Sequence, residues 1–256
     1  MGKLLKADLY RLFKTKSYYI LNITILGLIL LNLIIAKRQD IVDETDLLSE
    51  FTGIEVSAGV VTGGNVAIYM SIFVAIFVAH EFTHGTMKNV VSKGYSRIKI
   101  YLSKLIAVSV AATLMFLAVL IFTTIVGTVV TGEFGEITGT YALEFLRMLA
   151  IVTLLYLAFS SLYLMIVMIV RSSGGAIAIN LIGVTMFGPE IYELFNWIFK
   201  NKYDFNKYSL TNNVLLYNES LSPPLEDIGR SIIVGLVFLV VTTLIGSLVF
   251  EKTDIK

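Results

Sequence analysis

The chain is 256 residues long, 56% apolar and only 15% charged, with a mean hydropathy of +0.82, well beyond the balance of an ordinary soluble domain. A net charge of +1 lacks the concentrated basic surface that nucleic-acid partners demand. The absence of cysteine removes disulfides, thiolate metal sites and thiol nucleophiles. What remains is an all-α, polytopic membrane protein, read as a single transmembrane domain over residues 1–256.

Residues 1–16 are polar but patterned. Leu5, Leu9, Leu12 and Phe13 recur at helical spacing while Lys3, Lys6 and Lys14 fall elsewhere. The pattern predicts an amphipathic helix in the membrane interface, with a frayed basic tail as its plain alternative. The apolar run from Ser17 to Ala36 is about 20 residues, enough to cross a hydrocarbon core about 30 Å thick. No small-residue cleavage site follows it, so a membrane span is expected there and not a cleaved signal peptide.

Six spans are expected: 17–36, 59–79, 105–130, 147–170, 174–198 and 229–250. An even number places both termini on one side, and lysine and arginine choose that side. One face collects Lys3, Lys6, Arg11, Lys14, Lys16, Lys88, Lys93, Arg97, Lys99, Lys104, Arg171, Lys252 and Lys256. The opposite face has only Lys37, Arg38, Arg147, Lys200, Lys202, Lys207 and Arg230, among loops that are rich in acids. Both termini are therefore expected in the cytosol.

The stretch His80–Lys104 is the one long polar and basic insertion between apolar segments, and it holds both histidines. His80-Glu81-Phe82-Thr83-His84 matches H-E-x-x-H, in which imidazoles one turn apart bind zinc and the glutamate acts as base. A catalytic zinc also needs a third protein ligand, and with no third histidine it must be a carboxylate. Glu190, about 16 residues into a helix from Gly174, rises roughly 24 Å to the far face and does not reach. Asp8, Glu251 or Asp254 could reach but carry no supporting motif. The second reading uses more of these residues. The second span is expected to run on as helix past Glu81 to about Val91, to break at Ser92-Lys93-Gly94, and to restart with Ser96 as N-cap. The product is a rigid cytoplasmic elbow. A plain basic loop that merely orients the chain is its simplest alternative.

The spans are poor in chemistry. Of nineteen acidic residues only Glu190 and Glu193 lie inside an apolar run, just past Gly188-Pro189. Intramembrane carboxylates are functional candidates, although a helix broken near the outer surface would leave both at an aqueous boundary. No line of charged residues crosses the membrane to serve an ion-coupled transporter. Candidates for a substrate path are Asn22, Asn32, Asn180 and Thr185, with Glu190. The loop 199–228 mixes polar residues with leucines and either dips into the membrane as short helices or stays at the surface. Trp197 reads as an interfacial anchor.

Taken together, Glu81-x-x-x-Gly85-Thr86-x-Lys88-Asn89, Ser92-x-Gly94-x-Ser96-Arg97 and Tyr101-x-x-Lys104 resemble the loop between spans two and three of type-2 ABC exporter permeases. Leu4-Leu5-Lys6-Ala7-Asp8-Leu9, with Phe13-Lys14 and Lys16-Ser17, is similar to their amphipathic connecting helix. The resemblance spans the chain, and is greatest to the compact permeases of Gram-positive bacteria that export or resist bacitracin, lantibiotics or amphipathic peptide toxins. Histidine at 80 and 84 departs from it. It implies a bacterial plasma-membrane protein whose Glu81, Gly85, Thr86, Lys88, Ser96 and Arg97 couple it to a cytoplasmic ATPase subunit. ATP and Mg would sit on that partner, since this chain has no Gly-x-x-x-x-Gly-Lys-[Ser/Thr] phosphate loop and is no enzyme by itself. The lipid bilayer, a second permease copy and a peptide or other amphipathic substrate are the further partners implied; nucleic acid is not.

The topology makes a direct prediction. Single cysteines at Ser49, Thr138 and Asn212 should react with an impermeant thiol reagent on intact cells, and one at Ser92 should react only after permeabilisation.

Overall fold

The structure, a computed structural model, describes residues 1–42, 50–200 and 202–253, with the side chains of Val42 and Thr185 left aside. Asp43, Glu44, Asp46, Ser49, Asp254 and Lys256 lie outside it. Among the described residues there is no strand. In chain order the helices are α1 (Gly2–Lys14), α2 (Lys16–Val42), α3 (Gly53–Thr62), α4 (Asn65–Thr83), α5 (Thr86–Ser92), α6 (Arg97–Thr131) and α7 (Gly139–Val170). There follow α8 (Ser173–Ile177), a wide π-type segment (Ala178–Met186), α9 (Gly188–Ile198), a short 3-10 turn (Phe205–Tyr208), α10 (Leu210–Glu219) and α11 (Leu225–Lys252).

Among the described residues five helices, α2, α4, α6, α7 and α11, are long and apolar enough to cross a membrane. A sixth crossing requires the fifth predicted span to count as one, but it is broken. Ser173–Val184 and Gly188–Ile198 meet at a bend of 51°. Pro189 at the start of α9 has no amide hydrogen to continue the preceding helix and suits the first turn of a new one.

The second predicted span, 59–79, crosses a helix boundary. Gly64 takes a left-handed backbone (φ 80°) that separates α3 from α4. Apolarity continues across this turn because α3 is itself buried, lying against the far end of α6. The amide of Gly53 donates to the Glu133 carbonyl at 2.8 Å, and that of Ile54 to Phe134 at 3.2 Å. Thr52 and Glu55 close a reciprocal capping box over the first turn of α3. Spans three and four are longer than their apolar cores, because helical hydrogen bonding runs on through Arg97–Lys104 and through Gly139–Leu146. The loop 199–228 is largely helical and docked: α10 buries Leu210, Asn213, Val214 and Tyr217 against α3 and α7.

Helices α4 and α7 are the most enclosed, while α2 and α11 keep much of their apolar surface outward. Small polar side chains tie the centre together. Tyr156 donates to the Val61 carbonyl at 2.6 Å, and Ser161 meets Thr242 at 2.7 Å and Thr243 at 2.9 Å. With lipid tails as apolar as the helices, such hydrogen bonds and close backbone approaches hold helices together. Gly53 is one such approach: a Cβ there would lie 2.8 Å from Thr128 Cα, inside contact distance. Backbone cannot swing aside as a side chain does. Gly53→Ala should therefore destabilise the fold by about 1–3 kcal/mol, read as a lower melting temperature of the protein in detergent.

Candidate functional site

The chemistry-bearing residues converge at the lysine-rich end of the bundle, where α1, α4 and α6 meet. In α1 the stripe turned inward is Leu4, Asp8 and Leu12, each four residues apart, so an acid occupies the middle of an otherwise apolar face. Phe13, expected on that face, is exposed. In α4 Glu81 is the last buried residue, only 4% exposed. In α6 Ser103 and Lys104 face the same point, and Lys104 is 1% exposed.

Lys104 ion-pairs with both Asp8 and Glu81, and Arg11 pairs with the same Glu81 oxygen. Ser103 donates to the other oxygen of Asp8. Arg11 also donates to the Phe77 carbonyl at 3.1 Å, its guanidinium lying 4.1 Å over the Phe77 ring. Two cations and two anions thus cancel inside the protein, which is the condition under which burying charge is tolerable. Burial draws the Arg11 guanidinium down to about 10, against the upward pull of Asp8, and leaves it charged at neutral pH. Glu81 Oε2 and Arg11 Nε are buried without a partner.

This geometry revises several expectations. Glu81, read as a docking residue, faces inward to two cations and presents no surface. Arg97 is likewise committed: its guanidinium donates to the carbonyls of Phe250, Glu251 and Thr253, capping the end of α11. Helix α4 does not run on to Val91. It ends at Thr83, and Gly85 turns left-handed (φ 66°) before α5 begins. No atom lies within 4 Å of a Cβ placed on Gly85, so within the chain this glycine serves backbone conformation. Ser96 stands at the N-cap of α6 without a side-chain cap bond. Thr86 and Lys88 are exposed on α5 while Met87 is buried beneath them. Of the six predicted coupling residues, Thr86, Lys88 and Ser96 are exposed, Gly85 and Arg97 are half-buried, and Glu81 is buried.

The predicted path residues are spread over three elements: Asn22 and Asn32 on α2, Asn180 and Thr185 on the π-type segment, and Glu190 on α9. Asn22 and Asn32 each donate at 2.8 Å to the carbonyl four residues back in α2, and Asn180 faces the Tyr163 carbonyl of α7 at 3.5 Å. Glu190 is exposed in the first turn of α9, and Glu193 is exposed as well. Among the described residues the carboxylates inside the fold are instead Asp8, Asp40 and Glu81, and of these Asp8 and Glu81 meet Lys104. Asp8 was legible as an acid within a helical apolar stripe, and Lys104 as a base at the head of an apolar run.

His80 and His84 stack with ring centroids 3.8 Å apart and 19° between planes, both exposed. His84 Nδ1 lies 3.0 Å from the His80 carbonyl. Among the described residues no three His, Asp or Glu side chains are placed to hold a metal. The glutamate that would serve as base is held by Arg11 and Lys104.

Fold and site define an all-helical membrane protein with several long apolar helices and a neutral ion cluster at one end of its bundle. Residues 39–256 match the family described as a protein of unknown function, DUF2705, and the chain belongs to that family. The match takes in Glu81, Ser103 and Lys104 and begins after Asp8 and Arg11. No curated protein matches the chain.

Removing one member of a buried ion pair strands its partner. Lys104→Met should cost about 3–5 kcal/mol, measured by unfolding in micelles. Asp8→Asn combined with Lys104→Met should cost less than the sum of the two single changes.

Proposed function

We propose that the chain is the permease subunit of an ATP-driven exporter in a bacterial plasma membrane. In this reading both termini are cytoplasmic, the bent α8–α9 segment counts as a sixth span, and a second copy or a related permease completes the pathway. A separate cytoplasmic ATPase supplies the drive, holding ATP and Mg; the cargo is an amphipathic or antimicrobial peptide.

The observation that carries the reading is α5. It is a seven-residue helix between two long apolar helices, bounded by Gly85 (φ 66°) and Gly94 (φ 80°), both left-handed. It turns Met87 inward and offers Thr86, Lys88 and Asn89 outward. A short, polar, hinged segment of this kind suits a pad against which a partner pushes. Thr86 donates to the Glu81 carbonyl at 3.3 Å, so the pad adjoins the ion cluster that grips α1 and α6. ATP-driven closure of two ATPase subunits would press on α5 and reach the long helices through that cluster.

The complex itself provides the test. The chain should purify with a stoichiometric ATPase. Lys88→Glu, at an exposed site, should insert normally yet lower export about tenfold or more by reversing a charge at the contact, while ATP turnover on the same vesicles persists. Full export by this variant, or purification without any ATPase, would remove the basis for the proposal.

A further inference from the structure

A second basic site lies beside the ion cluster, at the junction of α1 and α2. A cavity of about 300 Å3 is lined there by Arg11, Thr15, Lys16, Ser17, Phe77 and His80, among others. Lys16, an imidazole and the Ser17 hydroxyl share its wall as hydrogen-bond donors, beside Arg11, whose charge is met by Glu81, and Thr15, whose hydroxyl donates to the Arg11 carbonyl at 2.7 Å. Asp8 and Glu81, the nearby acids, are already paired with Lys104 and Arg11. The chain between α1 and α2 also opens a helix of 27 residues, whose first-turn amides and dipole favour an anion. Arg11 adds an Nε that is buried and lacks a partner.

Position narrows the ligand. The cavity sits where two membrane-length helices end, α2 at its first residues and α4 in its last turn, so it lies at the depth of lipid headgroups. From Lys16 the α2 face continues through Ile20 and Ile23, four and seven residues on, which are 61% and 70% exposed. A cationic cup opening onto an outward apolar helix face fits a phosphate diester with acyl chains attached. It does not fit a small soluble anion equally well, since the apolar face would then be unused.

We propose that this cavity binds the headgroup of an anionic phospholipid, its phosphate held by Arg11, Lys16 and His80 and its acyl chains laid along α2. The bound lipid would fix the start of α2 against the end of α4 and supply an acceptor for the Arg11 Nε, which has none among the described residues. This site is independent of the exporter reading and stands whether or not the chain is a permease.

The test uses the full-length protein, delipidated in neutral detergent. Native mass spectrometry and thermal unfolding are followed on adding phosphatidylglycerol, phosphatidylcholine or inorganic phosphate. Phosphatidylglycerol should bind and raise the melting temperature where phosphatidylcholine does not. Lys16→Glu with His80→Gln changes two exposed side chains outside the buried pairs; it should fold, and should weaken that binding roughly tenfold or more. Arg11→Lys, which keeps the charge and loses the fork, should weaken it less. Equal retention of the two lipids, or undiminished phosphatidylglycerol binding by the double variant, would overturn the proposal. An equal melting shift from inorganic phosphate would assign the site to a soluble anion and overturn it too.

Discussion

Charge taken out of water must be repaid in place, and this constraint shapes the lysine-rich end of the molecule. Lys104 is nearly inaccessible, and bringing an ammonium into a low-dielectric interior is costly unless anions meet it there. Asp8 and Glu81 do so from two other helices, and Arg11 balances the second acid. None of the four could be buried alone. Helix α1, the end of α4 and the start of α6 are therefore obliged to meet. The elbow is positioned by that meeting, since α5 hangs between the two helices so fixed.

Away from the cluster, cohesion has a different origin. Helices α6 and α7 are packed through buried aromatic rings and a few hydroxyls, with Phe116, Tyr156, Phe159 and Tyr163 all enclosed. These hydroxyls bond carbonyls of neighbouring helices, as Tyr156 does to Val61, or one another, as Ser161 and Thr242 do. Such contacts join helices without fixing charge, so they restrict sliding less than an ion pair does. One end of the bundle is thus riveted and the remainder is packed.

Much of the architecture was legible in the chain. Long apolar runs bounded by charge identify the membrane-length helices, and the basic insertion identifies the elbow. What escaped was whatever depends on a turn or on a distant partner. Hydropathy averages over Gly63-Gly64 and so merges α3 with α4, although a left-handed Gly64 divides them. It likewise runs through Pro189, where the chain bends by 51°. The cluster itself was hidden for a related reason. Asp8 in an interfacial helix and Glu81 at a span end each look solvated until three-dimensional contact supplies Lys104. Arg97 looked free because its acceptors are backbone carbonyls of residues 250, 251 and 253, which no side-chain pattern reveals.

One stripe along α6 carries more than its share of these contacts. Arg97, Tyr101 and Lys104 follow one another by four and three residues and so lie along a single edge of the helix. The first holds the last carbonyls of α11, and the second sits where a Cβ on Gly246 would meet its ring. The third holds α1 and α4. Both ends of the described chain are thereby fastened to one edge of one helix within two turns. Rotating α6 about its own axis would shear all three attachments together, whereas tilting or translating it with α1, α4 and α11 would leave each intact. These attachments join α1, α4, α6 and α11 into one rigid piece at this end, in which α6 cannot turn by itself.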